Sequence, residues 1–315
     1  MAGGGKKVTV VGAGNVGSNT ARRIAEKDLA SEVVMIDIVE GLPQGLALDI
    51  NQSAPNDGFE ARVVGTNDYG DTAGSDVVVI TAGLPRKPGM SRMDLLDKNA
   101  EIIEGVTKQI VEHSPDTILV VVSNPLDEMT FLASEVSGFP KERVMGMAGV
   151  LDSARLRYFI AEKLDVPPAS VEALTLGSHG DQMVALPRHA KVQGKPLPEL
   201  LSEHDLEELF QRTRDGGAEI VGYLKKGSAY YAPSSSAAVM VNAILGDTKE
   251  VFPTCAWTTG QYGVSDVYLG VPAKLGSAGV EEIVELELND DELSKLREAA
   301  EAIRSKCREL SDRRS

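Results

Sequence analysis

A doubly wound α/β fold, a parallel sheet with helices on both faces, is the class that the first half of this sequence predicts, with a second domain of α+β character after it. Three observations point there. Residues 7–12, 33–37, 61–65, 76–81 and 117–123 are short segments apolar at nearly every position. A strand buried on both faces loses the inward/outward alternation of a half-exposed one, which marks a parallel sheet. Helix-length amphipathic stretches fill most of the gaps, as crossover connections require. The first segment also runs directly into a glycine-patterned turn ahead of a helical stretch that ends near Lys27.

The second half is more mixed. A helical stretch over 151–164 precedes a strand over 171–176, a hairpin about Val192-Gln193-Gly194-Lys195, and helices over 206–224 and 235–245. Residues 281–288 read as a strand before a last helix, whose N-cap is Asn289 or Asp290 and whose acidic first turn complements the helix dipole. No Pro/Gly/Ser-rich linker parts the halves. Residues 1–148 and 149–315 are therefore expected as two lobes in contact, with a site between them.

Composition excludes several classes. With 42% hydrophobic and 25% charged residues, the chain reads as a globular protein. Its longest apolar runs, Val77-Val78-Val79-Ile80 and Ile118-Leu119-Val120-Val121-Val122, fall far short of the roughly 18 residues of a membrane span. The start, Met1 to Lys7, lacks a signal-peptide apolar region, and Cys255 and Cys307 do not make a disulfide framework; both point to the cytoplasm. A net charge of −15 repels nucleic acid and serves either solubility or adaptation to high salt. An anionic substrate then needs a local basic site. No His, Cys and carboxylate cluster has metal-ligand spacing, and no G-x-S-x-G hydrolase context is present.

The turn after the first strand is Gly12-Ala13-Gly14-Asn15-Val16-Gly17. In a G-x-G-x-x-G turn between strand and helix, the first glycine permits the tight turn and the second lets the backbone approach a pyrophosphate. The third lets helix and strand pack closely, and the phosphates meet the positive helix N-terminus. Asp37 closes the second strand twenty residues beyond Gly17, and Ile38-Val39-Glu40 after it holds no base. A carboxylate there accepts hydrogen bonds from ribose hydroxyls and repels a 2′-phosphate, so NAD is expected over NADP in a Rossmann-type domain.

Of the four histidines, His113, His189 and His204 have bland settings, whereas His179 stands in Gly177-Ser178-His179-Gly180-Asp181 after an apolar strand, its small neighbours leaving it open to a cleft. With this motif the chain resembles the lactate/malate dehydrogenase family, and within it the lactate-dehydrogenase-like malate dehydrogenases. The resemblance covers nearly the whole chain and rests on motifs in order: Gly12–Gly17, Asp37, Thr81-Ala82-Gly83-Leu84-Pro85-Arg86, Arg92, Ser123-Asn124-Pro125, Leu151-Asp152-Ser153-Ala154-Arg155, and Gly177–Asp181.

The resemblance implies a role for each matched position. His179 would exchange the proton of a 2-hydroxy acid while hydride passes to or from NAD, with Asp152 fixing its tautomer and stabilising the imidazolium. Arg155, three residues on and so on the same helical face, would grip the C1 carboxylate through two parallel bonds. Arg92 would polarise the C2 carbonyl, and residues 83–93, with two Pro and two Gly, are a candidate closing lid. Asn124 would orient substrate and cofactor. Gly12, Gly14, Asn15, Val16, Gly17, Asp37, Thr81, Ala82, Gly83, Asn99, Val122 and Asn124 are the implied cofactor-binding set.

Specificity is expected to rest on Arg86, where the family's lactate enzymes carry Gln and its malate enzymes Arg. A second cation wants a second carboxylate: oxaloacetate supplies one, worth about 1.5–3 kcal/mol, and pyruvate leaves the cation enclosed and unpaired. Ala229, where lactate enzymes carry Thr, leaves room for the larger acid. The implied activity is the reversible conversion of (S)-malate to oxaloacetate, a step of the tricarboxylic acid cycle, by a homo-oligomer, a tetramer in preference to a dimer. Lactate or another 2-hydroxy acid is the alternative substrate. A non-catalytic NAD-binding protein is the alternative of a different class, disfavoured by the joint presence of Arg92, Asp152, Arg155 and His179.

Overall fold

The computed structural model describes residues 5–84, 92–180 and 182–314. In the first half β1 (Lys7–Val11), α1 (Asn15–Glu26), β2 (Glu32–Ile36), α2 (Leu42–Asp57), β3 (Arg62–Thr66), β4 (Val77–Ile80), α3 (Arg92–His113), β5 (Ile118–Val121), α4 (Leu126–Ser137) and β6 (Val144–Gly146) alternate. The strands lie side by side as β3-β2-β1-β4-β5-β6, every neighbour parallel. That is the Rossmann order, with its switch point between β1 and β4.

Successive side chains of each strand leave for opposite faces. Val77 and Val79 therefore join a core with Ala21 and Ile24 of α1, while Val78 and Ile80 join another with Ile103 of α3 and Met129 of α4. Burial of each such aliphatic side chain contributes about 1.5–3 kcal/mol, which is why these strands are apolar at nearly every position.

The second half contains α5 (Gly149–Leu164), β7 (Val171–Glu172), β8 (Thr175–Gly177), β9 (Met183–Ala185), β10 (Lys191–Val192), β11 (Lys195–Pro196), α6 (Glu203–Leu224), α7 (Tyr231–Leu245), β12 (Val251–Thr259), β13 (Ser265–Gly276), β14 (Gly279–Ile283) and α8 (Asp290–Arg314). Its strands extend the same sheet antiparallel, in the order β6-β12-β13-β8-β9 with β14 on β13. Two joints are single residue pairs at glycine, Gly146 with Cys255 and Gly270 with Gly177. A Cβ on Gly270 would lie 2.3 Å from the Gly177 carbonyl oxygen, so only glycine lets the backbones meet. The continuous sheet holds the ends of β1, β5 and β8 in fixed relation.

Several elements differ from the sequence reading. The strand expected over 171–176 is two, because β7 pairs with β10 in a small separate sheet while β8 joins the main one. The strand expected over 281–288 is β14, which ends at Ile283, beyond which the chain turns its donors elsewhere: Val284 N–H to the Pro272 carbonyl and Leu286 N–H to the Tyr262 hydroxyl. The helices expected from 206 and 235 start earlier, α6 behind a Ser202 cap and α7 at Tyr231 with Pro233 in its first turn. The hairpin at Gln193-Gly194 is present, both residues at positive φ. No described helix is long and apolar enough to cross a membrane.

Of the two caps considered for α8, Asn289 is the one. Its side-chain oxygen accepts from Glu292 N–H at 2.8 Å while the Glu292 carboxylate accepts from Asn289 N–H at 2.9 Å, a reciprocal capping box. Asn289→Ala is expected to cost about 1 kcal/mol of stability. Denaturant unfolding checks this, and an unchanged midpoint would contradict it.

Candidate active site

The glycine turn is built as its spacing requires. Gly12 has φ +100°, and a Cβ on Gly17 would lie 1.7 Å from the Gly12 carbonyl oxygen, so α1 crosses β1 only because residue 17 has no side chain. Thr81, at the end of β4, donates from Oγ1 to the Val11 and Gly12 carbonyls at 3.0 and 3.1 Å and braces the turn. A Cβ on Gly14, by contrast, would meet none of the described residues within 4 Å, so the backbone just ahead of α1 is open to close approach. Beside it is a cavity of about 540 Å³ lined by Gly12, Gly14, Asp37, Thr81, Ala82 and Gly83 among others. The Asp37 carboxylate is pinned there by Ala13 N–H at 2.7 Å and Val39 N–H at 3.0 Å. A dinucleotide fits these residues: unobstructed amides at a helix N-terminus for the pyrophosphate, and a fixed carboxylate for the ribose hydroxyls.

The second cavity, about 330 Å³, is lined from both halves of the chain. Val122 and Asn124 come from the end of β5, Asp152 and Arg155 from α5, His179 from the turn after β8, and Ser228 and Ala229 from the α6–α7 connection. Val16 belongs to the glycine turn and lines this cavity too, so the two cavities adjoin.

His179 Nδ1 lies 2.8 Å from Asp152 Oδ2, and Nε2, without a hydrogen-bond partner among the described residues, is the nitrogen left to meet a ligand. The imidazole is 19% exposed and the carboxylate 6%. Burial alone lowers the pKa of the imidazole, but the charge and hydrogen bond of Asp152 outweigh it and hold the pKa above its ordinary value. Arg155 Nη1 stands 3.4 Å from Asp152 Oδ1. Burial lowers the guanidinium pKa against the opposing pull of Asp152, and Nε has no partner among the described residues. Gly216 and Gly217 of α6 face this guanidinium without a Cβ between.

Asn99 lines neither cavity. It is 1% exposed, and its amide bonds the Leu84 N–H and the Leu84 and Asn124 carbonyls, tying β4's exit to β5's. Asn15 opens α1, and Arg92 is the first residue of α3. Arg86, most of the candidate lid, and Asp181 lie outside the described residues. Two charged residues at or beneath the site escaped the sequence reading. Arg214 of α6 lines the cavity that holds His179, a signal hidden because one arginine on an amphipathic helix is ordinary. Asp127, in α4, touches the His179 turn from below; its position just after Asn124-Pro125 was the available hint.

Residues 6–146 match the NAD binding domain of the lactate/malate dehydrogenase family, and residues 149–312 match its alpha/beta C-terminal domain. The chain belongs to this family. It is similar to malate dehydrogenase of Salinibacter ruber, with 55% identity over 304 residues, 96% of either chain. The crystal structure of a Salinibacter ruber malate dehydrogenase superposes with a TM-score of 0.94 at 52% identity, covering 98% of each chain. A Cryptosporidium parvum lactate dehydrogenase, solved with lactic acid and nicotinamide adenine dinucleotide, superposes at 0.93 with 40% identity over 97% of this chain and 98% of its own.

Because the folded-state pKa of His179 is raised, protonation of the ring adds stability that is fully present below the unfolded value of about 6.5 and lost as pH rises through the folded value. Asp152→Asn removes the charge that opposes burial, so the His179 midpoint, followed by NMR, is expected to fall below its parental position. An unmoved midpoint would show that Asp152 does not tune the ring.

Proposed function

We propose that this chain interconverts (S)-malate and oxaloacetate with NAD as hydride carrier. The observation that carries the reading is the His179–Asp152 pair on the wall of a cavity shared with Arg155 and adjoining the dinucleotide turn. The relatives named malate dehydrogenase at 53–55% identity support the choice of acid.

In the oxidation of malate, His179 Nε2 accepts the C2 hydroxyl proton, and Asp152, already hydrogen-bonded at Nδ1, stabilises the imidazolium that forms. Bound NAD supplies the hydride acceptor at its nicotinamide. Arg155 offers the C1 carboxylate two parallel N–H donors from a fixed plane, which a lysine cannot. Arg92 polarises the C2 oxygen, Arg86 takes the C4 carboxylate, and Asn124 orients substrate against cofactor. Ala229 lines the same cavity and leaves space for the longer acid. Asn99 serves the cofactor face indirectly, by holding Leu84 and Asn124 in place.

The reading divides the chain into a cofactor domain, 1–148, and a substrate domain, 149–315, a division supported by the limits of the two family matches. It extends to a homo-oligomer, a tetramer in preference to a dimer, serving the tricarboxylic acid cycle in the cytoplasm. Tyr223, Leu224 and Tyr231, 81%, 45% and 61% exposed, support burial against a second copy.

NADH oxidation with oxaloacetate and with pyruvate as sole acceptors tests the reading: oxaloacetate is expected to be favoured at least about tenfold in kcat/KM, and Arg86→Gln to narrow the ratio. Preference for pyruvate in the parent would overturn the assignment of the acid.

A further inference from the structure

One buried carboxylate outside the set above reaches the catalytic turn. Asp127 is the second residue of α4 and 3% exposed. Its Oδ2 accepts the Ser178 hydroxyl at 2.5 Å and the His179 main-chain N–H at 3.2 Å, and its Oδ1 accepts the Cys255 thiol at 3.4 Å. Asp127 thus ties a helix of the first half to the turn that presents His179 and to β12, the strand that joins the halves.

Filling space at this point asks only for shape, and accepting hydrogen bonds asks only for an amide oxygen. A carboxylate adds charge, at the cost of desolvation. The groups around it set that charge. Glu128, its neighbour on α4, is 5% exposed and disfavours a second anion, but Lys306 of α8 lies 3.6 Å from the Glu128 carboxylate. Cys255 of β12 and Cys307 of α8 are buried thiols. The imidazole of His179, flanked by the Asp152–Arg155 pair of α5, is the cationic group that an anion at Asp127 serves. Burial lifts the Asp127 carboxyl to about 6, against the lowering effect of the Ser178, His179 and Cys255 contacts. The group is therefore ionised through the upper part of histidine's working range.

We propose that Asp127 is a positioning residue of the reaction centre: its carboxylate fixes the main chain at Ser178 and His179, and it provides a second anion, beside Asp152, for the imidazolium. This rests on His179 as the proton carrier.

Asp127→Asn tests it, since the amide keeps the shape and one acceptor oxygen for Ser178 and His179 while removing the charge. The readout is kcat/KM for oxaloacetate reduction against pH, with NADH binding measured by fluorescence as the control for an intact fold. Reduction needs the imidazolium as donor, so the parental profile falls as pH rises through the His179 midpoint. In the variant that midpoint is expected about half a pH unit or more lower, with NADH affinity retained. A midpoint equal to the parent's, whether turnover or thermal stability has fallen or not, assigns Asp127 a merely structural role and overturns the proposal. Should Asp127→Asn fail to fold, Ser178→Ala removes a donor that lowers the Asp127 carboxyl, so less of the anion is present at the His179 midpoint and that midpoint is expected to fall below the parent's; a midpoint equal to the parent's overturns the proposal. A parental profile without any histidine midpoint would instead remove the proton-carrier reading beneath it.

Discussion

Everything in this molecule is arranged around a charge held where water is scarce. His179 and Asp152 meet at 2.8 Å on the wall of a cavity, with the carboxylate nearly buried. A lone buried ion costs several kcal/mol, and a paired one is tolerated only where geometry and further hydrogen bonds are good. That sets a demand on the fold: two elements from distant parts of the chain, α5 and the turn after β8, must be held to within a fraction of an ångström. The sheet meets it. β8 is anchored through β13 and β12 to β6, and the glycines at 146, 177 and 270 allow the backbones to come close at the joints. One ring nitrogen is committed to Asp152, and the other has no hydrogen-bond partner among the described residues.

The same sheet aligns the glycine turn with the cavity that holds His179. The glycine turn, the end of β4 and the end of β5 lie at adjacent carboxyl ends of parallel strands, where a doubly wound sheet opens a crevice. Val16 borders the catalytic cavity from that turn, and Asn99 ties the Leu84 backbone to Asn124.

How much of this was legible in the sequence depends on whether a signal is local. The parallel strands declared themselves through short runs made mostly of Val, Ile and Leu and separated by helix-length stretches, and Asp37, Asp152, Arg155 and His179 stood in short motifs of restricted chemistry. β12 and β13 did not, although they form the longest strand pair: Pro253 and Pro272, which argue against strand in isolation, sit opposite each other in register, and a bulge interrupts the pairing at Thr258. β6 is three residues long and gains its identity from neighbours. Asp127 shows the same limit within the site. Its partners Ser178 and Cys255 are 51 and 128 residues away in sequence, so apart from the preceding Asn124-Pro125 nothing near it marks it as more than a helix-start acid. The break of the 171–176 segment into two strands likewise follows from which sheet each piece joins, a tertiary fact.

Proton transfer in the proposed reaction rests on His179. Its most direct test is His179→Asn, assayed for NADH binding and for oxaloacetate reduction on the same preparation. NADH affinity within a few-fold of the parent together with a fall in turnover of about 100-fold to 10,000-fold is the predicted result; turnover within tenfold of the parent would contradict it.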